Sequence, residues 1–365
     1  MVERVILVHS DRGEVVDGIR DHTARMVEEL SRQRLAVAEL RVRPAASPGG
    51  RFGGSLPIWR RLRGLPPSSA VVLQYSPFCY ARRGFAPWLP AYLLAARAGR
   101  GRPTIALMVH EPYVPMISWR WALMGLWQRL QLGALRLAAD VVFTSIEPWA
   151  RDFASQPPRR PVHHLPVGSN FPDARGAREE ERARLGIDRE TLLVSCLGRD
   201  HPGWLDEYVV GAVNAIARSG RGLALLNMGA ETPRLQGLDP AVAVHAPGYL
   251  GADAFAAKLA ASDLFLAPLV DGVSTRRGSL MAALQHELPV VGTAGPLTDS
   301  VLLAAGSALR LTAVGDRERF AASAVELAAD PAGRASAGAA ARDLYQREFE
   351  WEVIARKLLA ALPER

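Results

Sequence analysis

Short apolar runs, each followed by an amphipathic stretch of helical period, recur along most of this 365-residue chain. In the first half the pattern predicts strands over 4–9, 35–42, 70–75, 104–110 and 140–145, with helices over 18–34, 87–97 and 119–137. The second half repeats the plan with strands 191–197, 222–228 and 241–245 and helices 204–219 and 252–261. A strand over 263–268, a helix over 276–286 and a strand over 288–292 follow. Runs so short and so uniformly apolar have no polar face to offer water, which points to α/β parallel sheets covered by helices on both faces. Residues 156–178, rich in Pro, Gly and Arg, separate the two series, and the length suits two cores better than one. The expectation is two doubly wound, Rossmann-like domains, 1–168 and 169–345, with a terminal helix over 346–365. Paired domains of this type bind ligands in the cleft outside the carboxyl ends of their strands.

Composition narrows the function. A hydrophobic fraction of 49% with 22% charged residues suits a globular protein. The run Val5–Val8 is too short for a signal peptide, and no apolar run reaches membrane-spanning length, so a cytoplasmic protein without an integral membrane segment is expected. Cys79 and Cys196 fall in different predicted domains, so no structural disulfide is expected. The net charge of +7 raises nucleic acid or an anionic membrane as partners. However, the basic residues are nearly all arginine, only Lys258 and Lys357 being lysine, and no basic run is interleaved with aromatics, so nucleic acid is not expected. Trp119, Trp121 and Trp127 read as core with a solvated rim rather than as a membrane face. Residues 43–63 read as a surface loop, with a lid over a substrate as the alternative. No His/Cys cluster has zinc spacing and no acidic pair suggests a metal site.

The chemistry concentrates in 267–293, APLVDGVSTRRGSLMAALQHELPVVGT. Here a strand end leads into Asp271, Ser274, Arg276, Arg277, Gly278 and Ser279 at the start of a helix, whose free N–H groups and dipole favour an anion such as a diphosphate. Arg199 after the strand 191–197 is a second diphosphate ligand, and Asn227-Met-Gly229 and Pro247-Gly-Tyr249-Leu250 are loops on the same rim. In the first half, Asp17-Gly18 opens a helix where backbone can approach a ligand closely, and His110-Glu111-Pro112 follows a strand.

Taken in order, these pieces resemble a family-4 glycosyltransferase of GT-B fold over nearly the whole chain. Asp17-Gly18-Ile19 resembles its acceptor-side loop, His110 its strand-end histidine, Pro166-Val-Gly-Ser-Asn170 its hinge, and Gly198-Arg199 its donor-phosphate arginine. Phe349-Glu-Trp-Glu352 resembles the terminal helix that packs back toward the first domain. The resemblance implies a retaining, metal-independent transferase without a cofactor. A nucleotide-diphosphate sugar would be its donor and a small molecule, in specialised metabolism, its acceptor; UDP, GDP and dTDP all remain open. His110 and Asp271 would be catalytic. Gly18, Arg199, Tyr249, Ser274, Arg276, Arg277, Gly278 and Ser279 would bind donor, and Asp17 and Glu111 acceptor. A monomer or homodimer is expected.

The chain departs from that family where it matters. The usual Glu-x7-Glu pair maps onto Ser274 and Ala282 when counted back from Pro289, and the first acid onto Asp271 when counted forward from Pro268. The phosphate lysine is absent from Asp200-His-Pro-Gly-Trp204, leaving Arg276 or Arg277 to replace it. The alternatives are a lipid-linked or cell-envelope glycan acceptor, and a catalytically weakened nucleotide-sugar-binding protein.

Overall fold

A computed structural model describes residues 2–11, 17–42, 62, 64–99, 101–116, 118–197, 203–229 and 235–363. The chain divides into two compact units, Met1–Pro166 with Trp351–Arg365, and Val167–Glu350. The first unit contains strands β1 (Arg4–Ser10), β2 (Ala36–Val42), β3 (Ser69–Tyr75), β4 (Thr104–Val109), β5 (Val141–Thr144) and β6 (Val162–His164), in the order β2-β1-β3-β4-β5-β6 and all parallel. Its helices are α1 (Gly18–Arg32), α2 (Trp88–Arg97), α3 (Trp119–Ala138) and α4 (Glu147–Ser155). The second unit begins with α5 (Arg178–Leu185) and continues through β7 (Leu192–Leu197), α6 (Asp206–Ala217), β8 (Leu223–Met228), β9 (Ala243–Gly248), α7 (Ala252–Ala261) and β10 (Leu264–Ala267). It ends with α8 (Gly278–Gln285), β11 (Val290–Ala294), α9 (Ser300–Leu303), β12 (Leu309–Ala313), α10 (Arg317–Ala329) and α11 (Pro331–Glu348). Its strands lie parallel in the order β12-β11-β10-β7-β8-β9.

Alternation along each central strand feeds two separate cores. In the first unit Ile6, Val8, Val71, Leu73, Ile105 and Leu107 join one cluster, while Val5, Leu7, Ala70, Val72, Ala106 and Met108 join the other. The second unit repeats this with Leu193, Leu226 and Phe265 on one face and Leu192, Val194, Leu225 and Leu266 on the opposite face. A strand buried on both faces is apolar at most positions, which is why these runs stand out in the sequence. β12 does not: as an edge strand it alternates Leu309 inside with Arg310 outside, and the sequence gives it no uniform run.

Each sheet is also tied at the opposite, amino-terminal rim by a carboxylate. Asp140 accepts from Arg97 Nη1 at 2.8 Å, Arg102 Nη1 and Nη2 at 2.7 and 2.8 Å, and the Ile105 N–H at 2.9 Å. Asp263 accepts from Arg178, from Arg182 Nη1 at 3.1 Å and from the Leu193 N–H at 2.8 Å. Both therefore join a strand start to two guanidiniums, and neither faces the carboxyl ends.

The terminal helix α12 (Trp351–Ala361) belongs to the first unit, where Ile354, Ala355 and Leu358 pack with Val5, Leu7, Met26 and Leu30. Its first residue, Trp351, meets the His22 ring of α1 edge-on at 5.1 Å, and His22 meets His110 at 4.8 Å. Neither His22 nitrogen has a hydrogen-bond partner among the described residues. Burial lowers the His22 pKa from the ordinary 6.5 to about 4 and holds His110 well below its usual value, with His22 adding to the effect.

Two outcomes follow from these contacts. As pH falls, the unfolded chain takes up the His22 proton first, so its contribution is complete above pH 6.5 and is lost toward pH 4. His22→Leu should flatten the acid limb of stability by up to about 1.4 kcal/mol per pH unit, measured by urea unfolding at several pH values. Asp140→Ala, which strands Arg102 and Arg97 without their carboxylate, should cost about 3–5 kcal/mol in the same unfolding assay at neutral pH.

Candidate functional site

The loop leaving β10 is fixed by hydrogen bonds to its backbone. Leu269 and Thr293 exchange hydrogen bonds, the Leu269 N–H donating to Thr293 Oγ1 at 2.8 Å and that hydroxyl donating to Leu269 O at 2.6 Å. Gly272 turns the chain at φ +81, where a Cβ would overlap Thr298 Oγ1 and Gly295 N. A Cβ on Gly295 would in turn come within 2.6 Å of the Asp271 carbonyl carbon and oxygen. Only glycine at both positions lets the two backbones lie this close. Val273 N then donates to Thr293 O at 2.8 Å, and Thr275 N to the buried Asp299 carboxylate at 2.7 Å. The segment leading to α8 is thus held at several successive residues.

The result is an exposed Asp271 carboxylate at the turn, a buried Ser274 and then the start of α8 at Gly278. Ser274 Oγ is buried with no hydrogen-bond partner among the described residues. Arg276, Arg277, Gly278 and Ser279 are each partly exposed in succession. The helix begins two residues later than the apolar spacing predicts, with Arg277 extended at φ -94 and ψ 96 as its N-cap and no side chain capping the first turn. A Cβ built on Gly278 would have Asn170 Nδ2 as its nearest neighbour, at 4.0 Å. Sequence reasoning placed Asn170 in a hinge, not beside the helix start; the Val167 N–H to Thr275 O bond of 3.0 Å brings that segment there.

Charge sets this helix apart. The other helices of the second unit carry a carboxylate at the N-cap or in the first turn: Glu179–Glu181 in α5, Asp206 and Glu207 in α6, Asp253 in α7, Asp299 at α9, Asp316 and Glu318 at α10, and Asp330 at α11. Each offsets the positive end of its helix dipole. α8 has none, and two arginines precede it. An external anion at that end would be favoured by the helix dipole.

Other predicted positions fall around this centre. Arg199 lies outside the described residues, as does most of the loop over 43–63. Gly203 and Trp204 lie along the β10 loop, Trp204 pairing antiparallel with Leu269 and Val270 N donating to Gly203 O at 3.0 Å. Tyr249 is exposed just after β9, three strands from β10 or about 14 Å at ordinary strand spacing. Ala282 is fully buried in the core, so that side of α8 has no opening for a ribose contact. Lys258 is engaged with Glu181 at 2.6 Å. An open depression of about 750 Å³ beside β12 is lined by Glu207, Asp316 and Glu318 with one cation, Arg317, a balance that disfavours phosphate.

In the first unit, His110 directly follows β4. Its N–H donates to Tyr75 O at 2.8 Å, its carbonyl accepts from Ser145 Oγ at 3.0 Å, and its Nε2 lies 2.6 Å from Gln74 Oε1. With Nε2–H as donor to Gln74, the neutral ring keeps Nδ1 as an acceptor. Glu111 is exposed next to it. Asp17 caps α1, its Oδ1 accepting from the Ile19 and Arg20 N–H groups at 3.0 and 3.2 Å. A Cβ on Gly18 would meet nothing within 4 Å among the described residues, so no neighbouring atom demands glycine there. His22, absent from the sequence-level candidates, packs on His110 and is visible only once α1 is folded.

No family model matches the chain, and no curated protein matches it in sequence. Solved structures do match its fold. Sucrose-phosphate synthase from Thermosynechococcus elongatus is 18% identical with a TM-score of 0.66, over 98% of this chain and 100% of that one. A glycosyltransferase from Rickettsia africae is 10% identical with a TM-score of 0.69, over 98% and 97%. HepE from Anabaena, solved with UDP, is 14% identical with a TM-score of 0.65, over 98% of each chain. With its two six-stranded parallel sheets and returning terminal helix, the chain has the GT-B fold of glycosyltransferases.

Proposed function

We propose that this protein transfers a sugar from a nucleotide-diphosphate sugar to an acceptor hydroxyl. The observation that carries the reading is the start of α8, an uncapped helix end without a carboxylate, preceded by Arg276 and Arg277 and held rigid by the loop from β10. Such an end is matched to the charge that develops on a departing diphosphate. The UDP complex of one fold relative, HepE, agrees with a nucleotide donor. Two guanidiniums and the free N–H groups supply the neutralisation that a metal ion gives elsewhere, which supports a metal-independent reaction.

In this scheme the glycosidic oxygen leaves with the nucleotide diphosphate, which Arg276, Arg277 and the amides of Gly278 and Ser279 stabilise. Arg199 adds a further diphosphate contact. The acceptor hydroxyl bonds to the anomeric carbon from the face the diphosphate leaves, and its proton passes to a diphosphate oxygen, so configuration is retained. Asp271 accepts hydrogen bonds from the donor sugar's hydroxyls, Ser274 Oγ donates to a donor oxygen, and Tyr249 serves the nucleotide. On the first unit, His110 Nδ1 accepts from a substrate hydroxyl, with Glu111 and Asp17 on the acceptor side and Gly18 toward the donor.

Two further observations bear on this reading. The exposed outer face of α3, with Trp119, Leu123 and Leu130, favours a lipid-linked acceptor over the soluble small molecule expected from sequence. The buried Ala282 motivates a weakened nucleotide-sugar binder as the second reading.

Calorimetry with UDP, GDP and dTDP, in the presence of a chelator, tests the donor site. One of the three should bind, and Arg277→Ala should weaken that binding by about 1–3 kcal/mol, the value of a charge-assisted hydrogen bond. An unchanged affinity in the variant removes Arg277 from the site, and no binding by any of the three rejects the donor assignment. For Asp271→Asn, the expected result is a lower kcat/KM in a nucleotide-release assay with nucleoside diphosphate affinity unchanged. Wild-type protein that binds nucleotide yet releases none across acceptor classes would support the weakened-binder reading instead.

A further inference from the structure

α3 buries three polar side chains beside Leu132 and Leu135 and leaves a second apolar stripe facing outward. Turned inward are Gln128, Gln131 and Arg136. Gln128 Oε1 accepts from Val114 N at 2.9 Å and Gln131 Oε1 from Ala86 N at 2.8 Å, while Arg136 donates to Phe153 O at 2.6 Å and Gln156 O at 3.0 Å. Turned outward are Trp119, Leu123, Leu126, Leu130 and Leu137, exposed by 74, 65, 52, 61 and 47%. Their spacing puts them on one stripe that runs the length of the helix. The residues sharing that stripe are Ala122, Gly133 and Ala134, so no polar side chain interrupts it. Phe85, also exposed, packs beside it on Trp127 at 4.3 Å. A continuous apolar surface of this kind marks an interaction site, whereas scattered exposed leucines do not.

The bordering charges identify the partner. The twenty residues of α3 include no carboxylate; their charged residues are Arg120, Arg129 and Arg136. Arg120 lies over the Trp119 ring at 5.2 Å and Arg129 over Tyr113 at 3.7 Å. Nine residues apart, these two fall on opposite flanks of the stripe. At the far end, Arg160 donates to Leu137 O at 3.0 Å. In a two-fold pairing with a second copy, these arginine borders would face one another with no acid on the helix to receive them. An anionic bilayer satisfies both features: Trp and Leu enter the boundary between headgroups and acyl chains, and the arginines meet lipid phosphates.

We propose that the outer face of α3 docks this protein on an anionic membrane surface, with the helix lying in the plane of the interface. The inference rests on α3 and its borders, and its test needs no catalytic activity.

The full chain is sedimented with vesicles of equal parts phosphatidylcholine and phosphatidylglycerol, and with phosphatidylcholine alone. Binding to the mixed vesicles is expected, falling by about tenfold or more on the neutral ones and weakening with added salt. The triple variant L123Q/L126Q/L130Q should lose about tenfold or more of the binding while keeping its circular dichroism spectrum and Tm, since all three side chains face outward. If the triple variant does not fold, L126E alone serves. Equal binding to both vesicle types, or unchanged binding by the folded variant, overturns the proposal. So does a wild-type dimer that ignores vesicles and is split by the same substitutions, which assigns the face to a second copy.

Discussion

Two glycine backbones pressed together, Gly272 and Gly295, set the direction in which the free amides of α8 point. The chain leaves β10, reverses at Gly272 and is bonded to β11 and to Asp299 before the helix begins. No side chain of ordinary size fits in that seam. The amides and the arginines preceding them are therefore oriented before a ligand arrives, and the ordering entropy lies in folding rather than in binding. The electrostatics follow from the same arrangement, because a helix end held rigid and left without a carboxylate keeps its positive field for an outside anion.

The two ends of the strands divide the work. At the amino-terminal rim, Asp140 and Asp263 each gather two arginines and a strand N–H, and much of the chain's arginine excess is consumed in such structural bonds. Arg182, for instance, also donates to Ala261 O and Thr191 O. The carboxyl-terminal rim instead carries glycines, hydroxyls and the Arg276-Arg277 pair, groups suited to bind rather than to brace. This division explains why a net charge of +7 by itself says little about a partner.

Much of the fold is legible in the sequence because its strands are buried on both faces and leave uninterrupted apolar runs. Helix α7 falls where the period puts it, at Ala252–Ala261. β12 escapes because it is an edge strand whose apolar residues are interrupted by exposed Arg310 and by Thr312. α11, PAGRASAGAAARDLYQRE, escapes because alanine and glycine give little contrast between its faces. In the candidate site, Asp271, Ser274 and the arginines are local in sequence and could be read there. Asn170 and His22 could not, since their neighbours lie far along the chain, at Gly278 for one and at His110 and Trp351 for the other. α3 misleads a pattern reading for a physical reason: leucine and tryptophan at helical spacing ordinarily mark the inward face. Here Leu132 and Leu135 share that face with glutamines that satisfy loop amides, and a second set of leucines lies outside.

Hydrogen–deuterium exchange with and without nucleoside diphosphate tests the central claim, that the start of α8 is the diphosphate seat, most directly. Slowed exchange is expected at the amides of residues 278–280, the first-turn donors of α8, when they donate to phosphate oxygens. Protection confined to other segments, with 278–280 exchanging as before while nucleotide is bound, would contradict it.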